Sequence, residues 1–319
     1  VRAAVADFDR RLGIARQGGR YRYVSPTPLG IYLAAEAWNT YPDKLRTLPD
    51  ALPTDDARDS FYERVEEIAT SPQARRFARE ELANFHQLAD FQEVRRVRRW
   101  SALSSADFGQ AARRVHRALS QASPEERERI SWNARSEIVS NLVRLAWKQS
   151  SFHEAVTSLA LLAEAERETW ANNASGAFVT RFQLYLGGTS VPYRDRLSVL
   201  DELFSKGRPH QVRLVVEALA EVGKPQDSRG STHIAAELPE KEWQPNSKEE
   251  EVACLQAATK RLIDVAQRQM PEMAGPLLKA AEALSLKLYI PEERMLVAGF
   301  FQAMRTAYPA SREPLRRII

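Results

Sequence analysis

The residues best equipped to do chemistry in this chain are arginines, and they come in two groups. The first surrounds a Gly18-Gly19 turn in "GIARQGGRYRYV", where Arg16, Arg20 and Arg22 alternate with Tyr21 and Tyr23. In a strand, residues two apart share a face, so Arg20 and Arg22 project one way and the tyrosines the other. Such a basic hairpin could grip a phosphate backbone. Alternatively, the tyrosines pack on a neighbouring helix and the arginines are only solvated, which is the favoured reading. The second group is "EVRRVRRW". On a helix, Arg95, Arg98 and Arg99 stand together, as do Arg96 and Arg99, while Val94 and Val97 turn inward. With Arg75, Arg76, Arg79, Arg113, Arg114 and Arg117 close in sequence, residues 75–117 form a basic stretch suited to an acidic partner, nucleic acid or protein. The competing and favoured reading is a solvated face whose arginines pair with Glu80, Glu81 and Glu93.

A third candidate is Trp243 in "EKEWQPN". Aromatic anchors dominate interface energetics, so it could hold a partner, or it could staple its own loop to the fold. Catalytic signatures are absent from the sequence: there is no G-x-x-x-x-G-K-[ST], no G-x-S-x-G, and no G-x-G-x-x-G between a strand and a helix. Cys254 lies in an apolar-periodic helix and reads as a structural thiol. His86, His116, His153, His210 and His233 have no i, i+4 partner and no cysteine cluster, so no catalytic residue and no metal ligand is assigned.

These residues are carried by helices. Apolar positions recur three and four apart in "YERVEEIA", "ARRFAREELANFHQLADFQEVRRVRRW", "DFGQAARRVHRALSQA" and in most of the chain from there to its end. Ser71-Pro72 and Ser123-Pro124 read as helix starts, "SKEE" at 247–250 as a capping box, and Gly187-Gly188, Gly207 and Gly223 as stops. About a dozen helices with short turns predict a mainly α fold: a degenerate, HEAT- or TPR-like α-solenoid without a strict repeat. "TLPDALPTDD" (47–56) reads as an aperiodic linker. "KPQDSRGSTHIAAELPEKEWQPN" (224–246) reads as a long loop held by Trp243.

The 319 residues are enough for a large core, with 46 Lys plus Arg against 42 Asp plus Glu. A net charge of +4 is too small to establish a nucleic-acid partner. No apolar run reaches the length of a membrane span, and a single cysteine suits a reducing, cytoplasmic setting, in which the sequon at Asn173 is accidental. Val1 opens directly in a helical pattern with no preceding cap, which reads as a piece of a longer polypeptide.

A helix followed by "GIARQGGRYRYVSPTPLGIYLAAEAW" resembles the winged-helix domain that follows the ATPase module in bacterial and archaeal STAND-class NTPases, and the helices behind it resemble their superhelical sensor region. The resemblance extends to residues 152–204 and to "EWQP". It implies a winged-helix remnant with a β-wing over 1–46, a linker over 47–56 and an α-helical superhelix over 57–319. It further implies a non-enzymatic sensor and scaffold that recognises a trigger protein or ligand and signals to its own N-terminal ATPase module, in host or antiphage defence. ATP and Mg would belong to that module alone. Where related proteins carry an M-H-D motif, this chain reads "SPTPLG", so no nucleotide-binding residue is transferred to it. The alternative is a nucleic-acid-binding module that uses Arg16, Arg20, Arg22 and the Arg95–Arg99 face.

Overall fold

In the computed structural model, residues 15–18, 21–24, 27–166, 173–223 and 240–318 are described. Strands β1 (Ala15–Gly18) and β2 (Tyr21–Val24) pair antiparallel, with Gly18 opposite Tyr21 and Arg16 opposite Tyr23. Arg22 stands opposite Gln17, and Arg20 lies outside the described residues. The hairpin rests on the first helix, where a Cβ added at Gly30 would stand 3.6 Å from the Val24 Cβ. Two short strands do not by themselves make a winged helix, and residues 1–14, which would supply its preceding helix, lie outside the described set.

The rest is helical, as the periodicity predicts. Helices α1 (Thr27–Thr40), α2 (Pro42–Arg46), α3 (Leu48–Ala51), α4 (Asp55–Glu67), α5 (Pro72–Leu82) and α6 (Val94–Leu103) build the first part. Next come α7 (Phe108–Gln121), α8 (Pro124–Glu128), α9 (Trp132–Leu145), α10 (Gln149–Glu164) and α11 (Ala174–Thr180). The last part comprises α12 (Tyr193–Lys206), α13 (Pro209–Ala220), α14 (Lys248–Gln267), α15 (Ala274–Ser285), α16 (Pro291–Ala307) and α17 (Arg312–Ile318).

Their ends have local causes. The Ser71 hydroxyl accepts from the Ala74 N–H with Pro72 at the first helical position, and Ser123 and Glu126 form a reciprocal capping box. Ser247 caps α14 by accepting from the Glu250 N–H, but the Glu250 carboxylate reaches one residue further back, to the Asn246 N–H at 2.8 Å. Gly207 ends α12 at φ +66°, a left-handed conformation that costs glycine nothing.

The principal contacts of each helix are with helices no more than four places away along the chain. Helix α10 shows how little of such an array is exposed: Phe152, Val156, Leu159, Leu162 and the intervening alanines are buried against α7, α9 and α11. One hydrophobic cluster runs without a break from Trp38 to Leu315.

That continuity corrects the reading of 47–56 as an aperiodic linker. The stretch contains the helical turn α3, its Pro49 is buried, and Thr54 caps α4 by accepting from the Ala57 N–H. Composition makes both its prolines look like breakers, whereas Pro49 sits in the first turn of α3, where the missing N–H is no loss, and only Pro53 lies between helices. Nor does α1 stand apart from the later helices. Trp38 packs on Phe77 at 5.1 Å and Phe61 at 6.2 Å between ring centroids, and the Ser71 hydroxyl donates to the Asn39 side chain. Trp38→Ala should therefore lower the stability of the main unfolding transition by about 3–5 kcal/mol in urea denaturation. An unchanged main transition would mean that α1 folds as a separate unit.

Candidate partner-binding face

Helix α6 is anchored by Val97, Trp100 and Leu103, all buried, which turns its four arginines outward. Each of them has a carboxylate partner. Arg95 reaches Asp56 at 2.9 Å and Asp59 at 3.4 Å, Arg99 reaches Asp59 at 2.8 Å, and Arg96 reaches Asp90 at 2.8 Å. Arg98 lies 4.0 Å from Glu137. The favoured reading of paired arginines is the one observed; of the expected partners Glu80 pairs with Arg76, whereas the acids that meet α6 are residues of α4, of α9 and of the turn before α6. Packing of α4 on α6 brings together residues 36–40 positions apart, a proximity that helical spacing cannot reveal. Arg95, Arg96, Arg98 and Arg99 thus tie α6 to its neighbours through these ion pairs rather than standing as a free cationic face.

The preceding arginines are also largely committed. Arg76 pairs with Glu80, Arg79 with Asp107, and Arg75 donates to the Ala69 carbonyl. Helix α7 differs. Its sequence, FGQAARRVHRALSQ, holds no carboxylate, and its apolar face (Ala111, Ala112, Val115, Ala118, Leu119) is buried. Arg113 and Arg117, one turn apart, are exposed and Arg114 is half-buried, and no carboxylate pairs with any of the three among the described residues. Asp107, the acid at the start of α7, is already used by the Gln110 N–H and by Arg79. The fourth basic side chain of α7, His116, adds no charge at neutral pH. Its burial, and secondarily His153, lower its pKa, and its Nδ1 lies 3.3 Å from the Thr157 hydroxyl. Positive charge is therefore concentrated on α7 rather than on α6.

Trp243 is committed as well. Its main-chain N–H donates to the Thr189 carbonyl at 2.9 Å, and the Arg196 guanidinium lies 5.1 Å from its ring centroid. The Trp147 indole donates to the Glu240 carbonyl and the Gly188 N–H to the Glu242 carboxylate. Residues 240–243 are thus pinned to the 188–190 loop and to α12, and the half-buried Trp243 ring sits as a staple of its own chain. Residues 224–239 of the long loop lie outside the described set.

Beneath this staple lie two buried cations that sequence reasoning missed. Arg196 donates to the carbonyls of Val191 (2.7 Å), Gln183 (2.8 Å) and Arg181 (3.1 Å), and Arg181 donates to the Gly188 carbonyl at 2.9 Å. Desolvation brings both guanidinium pKa values down to about 10, so both stay charged at neutral pH. The signal available in the sequence was Gly187-Gly188. Gly188 has φ +63°, and a Cβ there would stand 2.5 Å from the Arg181 guanidinium.

Cys254 is buried in α14, and burial pushes its thiol up to about 11. Among the described residues, no helix is long and apolar enough to cross a membrane, and no group of three His, Cys, Asp or Glu could hold a metal ion. Comparison with protein-family models, with curated proteins and with solved structures returned no match.

Gly188→Ala should destabilise the chain by more than about 1 kcal/mol, because alanine resists positive φ and the Arg181 side chain leaves no room, as chemical denaturation would show. Iodoacetamide at pH 8 should modify native Cys254 about a hundredfold or more slower than in the unfolded chain, by mass spectrometry, because raising a thiol's pKa lowers its thiolate fraction.

Proposed function

We propose that this chain is a recognition scaffold, an α-solenoid of stacked helices that docks an acidic trigger protein on the Arg113–Arg117 face. The observation that carries the reading is that Arg113, Arg114 and Arg117 stand together on a helix without a carboxylate, beside helices whose arginines are paired. Three adjacent unspent guanidinium groups are prepared for carboxylates, which they bind bidentately. An array in which each helix packs on near neighbours in the chain offers such a partner an extended surface.

The resemblance to STAND-class NTPases supplies the context for this reading. The docked trigger would be reported to an N-terminal ATPase module, with ATP and Mg held there and the β1–β2 hairpin as part of a winged helix. A ligand that prefers one arrangement of scaffold and ATPase shifts the equilibrium between arrangements, and the shared core around Trp38 would carry that preference to α1.

Fluorescence anisotropy with a labelled polyglutamate of about 20 residues, beside a duplex DNA of similar length, tests the docking face. Polyglutamate should bind more tightly at low salt than at physiological salt, and the triple change Arg113→Glu, Arg114→Glu, Arg117→Glu should weaken it at least about tenfold. The same change should leave the melting temperature within about 2 °C, because these side chains have no ion-pair partner to lose. Undiminished binding by the triple variant would overturn the proposal. Tighter binding of the duplex, falling steeply with salt, would favour the nucleic-acid reading instead.

A further inference from the structure

Where α4, the C-terminal end of α5 and α6 meet, a pocket of about 310 Å³ opens between side chains of opposite charge. One wall is Glu81. Its Oε2 accepts from the Tyr62 hydroxyl at 3.2 Å, while its Oε1 has no hydrogen-bond partner among the described residues. Burial raises the pKa of this carboxyl, with Asp50 and Glu80 adding to the rise and Tyr62 and Arg96 opposing it. Glu80 itself is occupied by Arg46 and Arg76, so the acid facing the pocket without a cation of its own is Glu81. The Tyr62 hydroxyl, pushed up to about 12, stays protonated and keeps its donor role.

The other charged side chains that line it are cationic. The Arg99 guanidinium lies 5.5 Å from the Tyr62 ring centroid and spends its Nε on Asp59, and the Arg96 guanidinium lies 5.3 Å from the Phe85 centroid and spends its Nη2 on Asp90. Both planes are thereby held in place, and the remaining N–H edges of each are unspent among the described residues. Phe85 and Leu103, both buried, and the exposed Asn84 complete the lining.

A simple anion would meet Glu81 here, and a simple cation would meet two arginines. We infer that this pocket binds a free α-amino acid, its carboxylate between Arg96 and Arg99 and its ammonium on Glu81. Such a ligand satisfies all three groups at once, through charge-assisted hydrogen bonds, which are the strong class. Its size agrees as well, since the volume is at the small end of ligand cavities, about 300–1,000 Å³. The pocket shares no residue with the α7 face, so the two assignments stand or fall separately.

Isothermal titration calorimetry with L-leucine tests the assignment, using isocaproate and isoamylamine as probes that carry only one of its two charges. Leucine should bind, and each single-charge analogue should bind at least about tenfold more weakly. Glu81→Gln should weaken leucine by about the same factor, with its melting temperature recorded alongside. Because the analogue series uses the unaltered protein, it decides the matter even if that variant folds poorly. No heat of binding up to about 10 mM leucine, or isocaproate or isoamylamine binding as well as leucine, would overturn the inference. So would a folded Glu81→Gln variant that binds leucine unchanged. Binding of leucinamide in preference to leucine would also overturn it, by showing that an amide and not a carboxylate faces the arginines.

Discussion

Asp59 decides the charge pattern of the first half of this array. It accepts from Arg99 through one oxygen and Arg95 through the other, fixing α4 against α6. Exposed ion pairs are individually weak, and this one matters less for stability than for allocation. With Asp59, Asp56 and Asp90 committed to α6, that helix is neutralised and the net positive surface is displaced onto α7. The same clamp holds Arg99 over Tyr62, and so sets one wall of the Glu81 pocket. The two-charge pocket thus depends on one carboxylate placed opposite two turns of a helix.

The helices, most of their caps and the overall class were legible in the sequence because each depends on residues a few positions apart: a serine before a proline, a glycine after a periodic run, apolar residues at three and four. The 47–56 stretch misled because proline has opposite meanings inside a helix and in its first turn, and composition does not distinguish them. The partners of Arg95 and Arg99 were illegible for a different reason. They come from a helix almost forty residues upstream, and only the packing of α4 on α6 decides which acids face which bases. Glu81 reads in the sequence as a surface charge available to an arginine, yet its half-burial beside Tyr62 is invisible in its neighbours along the chain.

The two buried arginines show a different solution to charge in the interior. Arg181 and Arg196 make their hydrogen bonds to main-chain carbonyls of the 181–191 segment. A guanidinium presents five N–H donors in one plane, which suits it to gathering carbonyls from a chain that has left helical geometry. Loop carbonyls in turn need donors, because no helix supplies them there. The segment between α11 and α12 is thus ordered by side chains rather than by its own backbone ladder, and the Trp243 ring closes over Arg196.

The indole of Trp38 has a mechanical meaning. The hairpin leans on α1 through Val24, and α1 enters the common core chiefly through Trp38, the one fully buried residue of that helix. A pull on the hairpin is therefore not absorbed along 47–56, whose turns are folded onto the array. It is delivered to the aromatic contacts with Phe61 and Phe77, which makes α1 a lever whose fulcrum is a single ring.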